Sequence, residues 1–131
     1  MLHHVTLEVA PGDVGRFAEL LGAIGFEPVP VPASLGDGYR WFERSGTQVH
    51  LAITSEPDVP AVGHAAFVVA PLEPAVERLA GLGFEISERR RHWGARRVTV
   101  AAPAGHRIEL METPPRQAGS GGGGHSRRST S

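Results

Sequence analysis

His4, His50, His64 and Glu109 are the residues of this chain whose types and spacing could do chemistry together. His4 and His50 lie 46 residues apart, and His64 and Glu109 lie 45 apart. Imidazole nitrogens and a carboxylate oxygen are good ligands for Fe(II), Mn(II), Ni(II), Co(II) or Zn(II), so the four predict a site for one divalent metal ion. Three neutral imidazoles and one carboxylate leave such an ion with uncompensated positive charge. That favours a small, anionic, oxygen-chelating substrate such as a catecholate, an enediolate or a hydroxy acid. Any one of these residues alone reads as an ordinary strand residue. The competing reading of the set is a cavity that binds an organic ligand without metal.

The elements that must position them come from a duplication. HHVTLEVAP (3–11) matches GHAAFVVAP (63–71) at an offset of 60, with His4 meeting His64. LGAIGFE (21–27) matches LAGLGFE (79–85), and VHL (49–51) matches IEL (108–110). Three matches in one order predict two copies of one unit. In each copy the alternation of apolar and polar residues predicts a strand (2–10 and 63–70). A helix follows, from an Asp13 cap to about Ile24 in copy one and over 72–82 in copy two, each closed by a glycine, Gly25 or Gly83. Three strands complete each copy, near 26–32, 39–45 and 47–54, then near 84–91, 96–102 and 106–112. Pro28, Pro30 and Pro32 predict an edge or irregular second strand, because proline donates no ladder hydrogen bond. His4, His50, His64 and Glu109 all fall on strand faces opposite the apolar ones.

The expected fold is thus α+β: two tandem βαβββ modules, residues 1–57 and 58–115, together one domain. A Gly/Ser/Arg tail, 116–131, is expected to be disordered, with His125 idle in it. The 131 residues fit one domain. Cysteine is absent, which excludes disulfides, thiolate metal sites and thiol nucleophiles. All 13 basic residues are arginine, so Schiff-base chemistry is excluded too. A net charge of −1 argues against nucleic acid as a partner. No apolar run approaches the ~20 residues of a membrane span. The opening Met-Leu-His-His carries no signal pattern, so the expected location is cytoplasmic.

With these residues in hand, the chain over about 2–113 resembles the vicinal oxygen chelate superfamily, which includes glyoxalase I, fosfomycin-resistance transferases, extradiol dioxygenases and bleomycin-resistance proteins. HHVTL, QVHLA, GHAAF and HRIEL carry the resemblance. It implies curved sheets that form a barrel-like metal-binding cleft, with His4, His50, His64 and Glu109 as ligands. Glyoxalase-like isomerases usually hold a carboxylate where His50 stands, which leaves Glu109 as the ligand that could also act as a base. The extradiol branch implies His4, His64 and Glu109, with His50 a fourth ligand or a nearby acid/base. Thr6 matches a threonine of fosfomycin-type transferases, but their tyrosine is Thr99 here. Pro11 replaces a common acidic residue, and Ala102-Pro103-Ala104-Gly105 replaces the usual Asp-Pro-Asp-Gly.

Glu109, Thr6 and Arg97 are the expected catalytic or substrate-contacting residues. In the run RRRHWGARR (89–97), Arg97 is the arginine expected to meet an anionic substrate. His3 is expected to point to the apolar face, and His106 to be structural. Tyr39, Trp41 and Phe42 read as wall or core. Three functions stay open: a metal-dependent dioxygenase or lyase/isomerase, a drug-sequestering protein without turnover, or a structural module with a vestigial site. Unpaired strand edges predict a homodimer.

Overall fold

The computed structural model describes residues 1–115, so the expectation for the 116–131 tail lies outside the described residues. The first module contains β1 (His4–Val9), α1 (Val14–Ala23), β2 (Glu27–Val29), β3 (Tyr39–Arg44) and β4 (Thr47–Ile53). The second contains β5 (Ala65–Val68), α2 (Leu72–Gly81), β6 (Ile86–Arg89), β7 (Arg97–Ala101) and β8 (Arg107–Met111). The class is α+β and the two βαβββ modules follow one another as the repeat requires. The sheets, however, are two separate four-stranded sheets, ordered β1-β4-β3-β2 and β5-β8-β7-β6, and not a closed barrel. Closure would need the edge strands of one sheet, β1 and β2, to pair with those of the other, β5 and β6, and no such ladder forms among the described residues.

Each module obeys the same local rules. In α1, Phe17, Leu20, Leu21 and Ala23 are buried, three to four residues apart along one stripe. In α2 the same stripe is Leu72, Ala75 and Leu79. Each helix is followed by a glycine in the left-handed region, Gly25 at φ 99° and Gly83 at φ 87°, a conformation an L side chain rarely adopts. Asp13 precedes α1 but makes no side-chain cap bond. A 3-10 turn over Pro11–Asp13 leads into the helix instead. The proline-rich second strand shrinks to three residues at the sheet edge, where a missing N–H costs no ladder bond.

The first strand of each module runs parallel to the last, β1 with β4 and β5 with β8. A parallel pair needs a crossover, and the helix provides it, covering one face of the sheet. Val9, Val49 and Leu51 are fully buried on that face in module one, and Val98, Val100 and Leu110 in module two. The opposite faces carry the chemistry. One hydrophobic cluster joins both modules. His106 is buried, donates from Nε2 to the Glu8 carbonyl at 2.7 Å and meets Phe17 edge-on at 5.8 Å. It is a structural tie between the modules. Arg78 Nε to the Ala23 carbonyl (3.0 Å) and Phe26 against Phe67 (5.2 Å) extend the same junction. Among the described residues no helix is long and apolar enough to cross a membrane.

Candidate metal and substrate site

The register of the two sheets places the predicted residues as two pairs. In module one, His50 on the central strand β4 lies opposite Thr6 of β1 and Trp41 of β3. His4, two residues before Thr6, leans across so that its ring stacks on His50, with centroids 4.1 Å apart and planes 16° apart. Trp41 stacks on His50 at 4.0 Å and 4°. Two rings cannot share one face of an imidazole, so His50 is sandwiched between them. His3 meets His4 edge-on, with the two Nδ1 atoms 3.0 Å apart. It does not enter the apolar face as alternation predicts, because the strand begins only at His4.

The tautomer of His50 follows from its neighbours. Gln48 Nε2 donates to Glu43 Oε1 at 2.7 Å, and a carboxylate can only accept. The Gln48 amide is therefore oriented with Oε1 toward His50, whose Nε2–H donates to it at 2.7 Å. Burial, followed by the proximity of His4 and His3, lowers the His50 pKa below its ordinary value of 6.5, which favours the neutral ring. Thr6 is exposed on the same open face.

In module two, His64 stands just before β5, and its Nε2 is 3.2 Å from Glu109 Oε1 on β8. The positions that flank Glu109 in the sheet, as Thr6 and Trp41 flank His50, are Ala66 and Thr99. These small side chains leave room, and Arg97 fills it: its Nε donates to Glu109 Oε2 at 2.8 Å and its Nη1 to the Arg90 carbonyl at 2.6 Å. Arg97 is thereby committed first to Glu109. Burial pushes the Glu109 carboxyl up, but hydrogen bonds and charge from Arg97 and His64 outweigh it and hold the pKa below 4.5. Elsewhere in the basic run, Arg96 is taken up by Glu88 and Glu73.

The His64 ring faces an acceptor at each nitrogen. Nδ1 lies 3.0 Å from the Val62 carbonyl and Nε2 lies 3.2 Å from a carboxylate oxygen. A neutral imidazole has only one N–H and donates to one of these acceptors; with Nδ1–H given to Val62, the Nε2 lone pair stands beside the carboxylate as a second donor atom for a metal ion. Two ligands at about 2.1 Å from one ion, at roughly a right angle, are about 3 Å apart. The pair therefore fits half of a metal site. Among the described residues, however, no three His, Asp or Glu side chains gather closely enough to hold one ion. A single chain thus presents His4 with His50 on one sheet and His64 with Glu109 on the other.

Beside His64, at the junction of the modules, is a cleft of about 440 Å³ whose walls include Val5, Phe26, Phe67 and Val68, with Arg44 and Thr47 as polar members. That is the size of a small-molecule pocket.

Residue type and spacing do not single out Gln48, Glu43 or the stacking role of Trp41. The hairpin turn held the signal. Ser45 and Gly46 both have positive φ, as a two-residue hairpin turn requires. Counting outward from that turn pairs Glu43 with Gln48 and Trp41 with His50.

The family profile described as Glyoxalase/Bleomycin resistance protein/Dioxygenase superfamily matches residues 2–110. No curated protein matches. Among solved structures, a glyoxalase family protein from Bacillus anthracis is 26% identical, with a TM-score of 0.74 over 85% of this chain and 93% of that one. A mutant of the fosfomycin resistance protein FosX from Listeria monocytogenes, in complex with Mn(II) and dihydroxypropylphosphonic acid, is 21% identical. Its TM-score is 0.66 over 87% of this chain and 93% of that one. A bleomycin resistance determinant encoded on the transposon Tn5 is 16% identical, with a TM-score of 0.60 over 82% and 95%. The last two likenesses are of fold alone.

Proposed function

Since the chain belongs to the Glyoxalase/Bleomycin resistance protein/Dioxygenase superfamily, we propose that it is a cytoplasmic, divalent-metal-dependent enzyme acting on a small, oxygen-chelating, anionic substrate. The observation that carries this reading is the His64–Glu109 pair: with Nδ1–H donated to the Val62 carbonyl, the bare Nε2 and Glu109 Oε1 stand 3.2 Å apart as two metal donors. His64 and Glu109 would hold the ion. His4 would supply the third ligand from the sheet of a second copy of the chain, because among the described residues the two pairs stay apart and the β1 and β5 edges are unpaired. The protein then acts as a homodimer.

Two imidazoles and one carboxylate leave open positions for a bidentate substrate. When bound, the ion supplies Lewis-acid polarisation of substrate oxygens. The chain's own residues do the rest. Val62 fixes the His64 tautomer through Nδ1, and Arg97 aligns the Glu109 carboxylate through Nε. Nη2 of Arg97 makes no hydrogen bond among the described residues and is a donor for an anionic substrate, and Thr6 presents a hydroxyl on the facing sheet. Mn(II) in the FosX complex supports a first-row divalent ion, and Fe, Ni, Co and Zn suit the same donors.

One observation favours metal-free sequestration of a drug-like ligand. Arg97 already pairs with Glu109, so the carboxylate has a cationic partner without a metal ion. Titration of the metal-stripped protein with Mn(II), Co(II), Ni(II) and Zn(II) by calorimetry separates the two. One ion per chain, lost in His64→Ala and in Glu109→Gln, is expected. Absence of binding by every ion would leave sequestration as the function.

A further inference from the structure

The three-ligand reading leaves His50 without a task, although it is the more buried imidazole of its pair. We propose that Trp41 and His50 form a stacked column that positions His4, and that His50 is a positioning residue rather than a ligand. This rests on the reading of His4 as a metal ligand.

Ring geometry carries the argument. The lone pair of an imidazole nitrogen lies in the plane of its ring, so an ion bound by two imidazoles must lie in both planes. The rings of His4 and His50 are stacked at 4.1 Å with planes only 16° from parallel. Those planes do not meet within the roughly 2.1 Å reach of both nitrogens. As arranged, the two rings cannot share an ion.

The same geometry suits support. His4 sits at the first residue of β1, an edge strand, where an exposed imidazole would otherwise rotate freely. Here one face is held by His50 and one edge by His3 through Nδ1, which leaves Nε2 as the ligating nitrogen. An orienting partner on the second ring nitrogen is what a ligating histidine needs. His50 is itself fixed by Trp41 behind it and by Gln48 at Nε2. Trp41 Nε1 is buried without a hydrogen-bond partner among the described residues, so the ring is placed by stacking and not by its own polar atom. Module two does without such a column, since Thr99 and Ala66 occupy the flanking positions and Arg97 fixes Glu109 instead.

The test uses Co(II) affinity and the Co(II) absorption spectrum of the full chain, with each variant's metal-free melting temperature as a check on folding. His50→Phe and Trp41→Phe keep a flat ring and are expected to bind like wild type with the same spectrum. His50→Leu and Trp41→Leu are expected to weaken binding by about tenfold or more, the usual effect of removing an outer partner of a ligand, with the saturated spectrum unchanged. If His50→Phe is as weak as His50→Leu, or alters the spectrum, His50 is a ligand and the column is overturned. Unchanged affinity in Trp41→Leu overturns it as well, and Trp41 carries the test if the His50 variants do not fold. His4→Ala separates the two levels: wild-type affinity there removes the metal reading of His4 and the column with it. Loss there, with no rescue by Phe at position 50, removes the column alone. The wild type gives a direct check, since stacking requires upfield-shifted His4 ring protons in the metal-free protein. Unshifted resonances would overturn the proposal.

Discussion

Arg97 and Glu109 form a part-buried ion pair between neighbouring strands, with Nε and Oε2 2.8 Å apart and both side chains less than one-sixth exposed. The other carboxylate oxygen faces His64. Glu109 is thus held between the Arg97 guanidinium and the His64 ring. The only acidic member of the candidate ligand set is already paired with a permanent cation.

Arg97→Leu removes the permanent cation and leaves a buried carboxylate. Breaking one side of a buried pair costs about 3 kcal/mol, and urea denaturation at neutral pH is expected to show a loss of that order. Saturating Mn(II) then raises the melting temperature of the variant more than that of wild type, because a ligand that binds only the folded state stabilises it and here supplies the missing charge. Equal metal-induced shifts in both proteins would contradict the placement of the ion at Glu109.

Acidification is expected to destabilise the protein in two windows. Burial first, then His4 and His3, holds His50 below 6.5, while Arg96 holds Glu88 and the Arg97 and His64 contacts hold Glu109 below 4.5. In each case the folded pKa lies below the unfolded one, so the unfolded chain takes up its proton first. The stabilisation is fully present above the unfolded pKa and is lost as pH falls through the folded pKa. Denaturant midpoints measured from neutral to acid pH should therefore begin to fall near pH 6.5 and fall further below about 4.5. His50→Phe flattens the upper window, and Glu109→Gln reduces the lower one, to which Glu88 still contributes. Slopes identical to wild type would show that these groups do not carry the effect.

Mixing inactive variants tests the two-copy site. His4→Ala retains His64 and Glu109, while Glu109→Ala retains His4. In a mixed dimer whose sites combine sheets from both copies, one of the two sites is whole. After unfolding and refolding together in equal amounts, about one quarter of the wild-type high-affinity metal sites should return by random pairing of a two-fold dimer. A site built within one chain would return none.

His106→Ala removes the donor to the Glu8 carbonyl and the ring against Phe17. Leaving one buried polar group unpaired costs about 2 kcal/mol. Because this contact ties the modules, the loss is expected in denaturant unfolding with little change in Co(II) affinity at saturating folding conditions. A large affinity change with no stability change would place His106 in the site.

The sequence by itself determined the module, its duplication and the identity of the candidate ligands. Period-two alternation put His4, His50 and Glu109 on faces opposite Val5, Val49 and Leu110, and the offsets near 60 paired them. These are local or repeated features, and local sterics and burial enforce them wherever the chain folds. Tertiary structure decided what each residue touches. Arg97 was legible as an arginine near the site, but its bond to Glu109 arises because Thr99 and Ala66 leave space beside the carboxylate. His50 was legible as a polar-face histidine, but its sandwich between Trp41 and His4 depends on three strands meeting at one register. The separation of the two sheets, too, has no signature in alternation or spacing. It is set by the side chains that tie the modules together, His106 to Glu8, Arg78 to Ala23 and Phe26 to Phe67, which are long-range contacts of particular shapes.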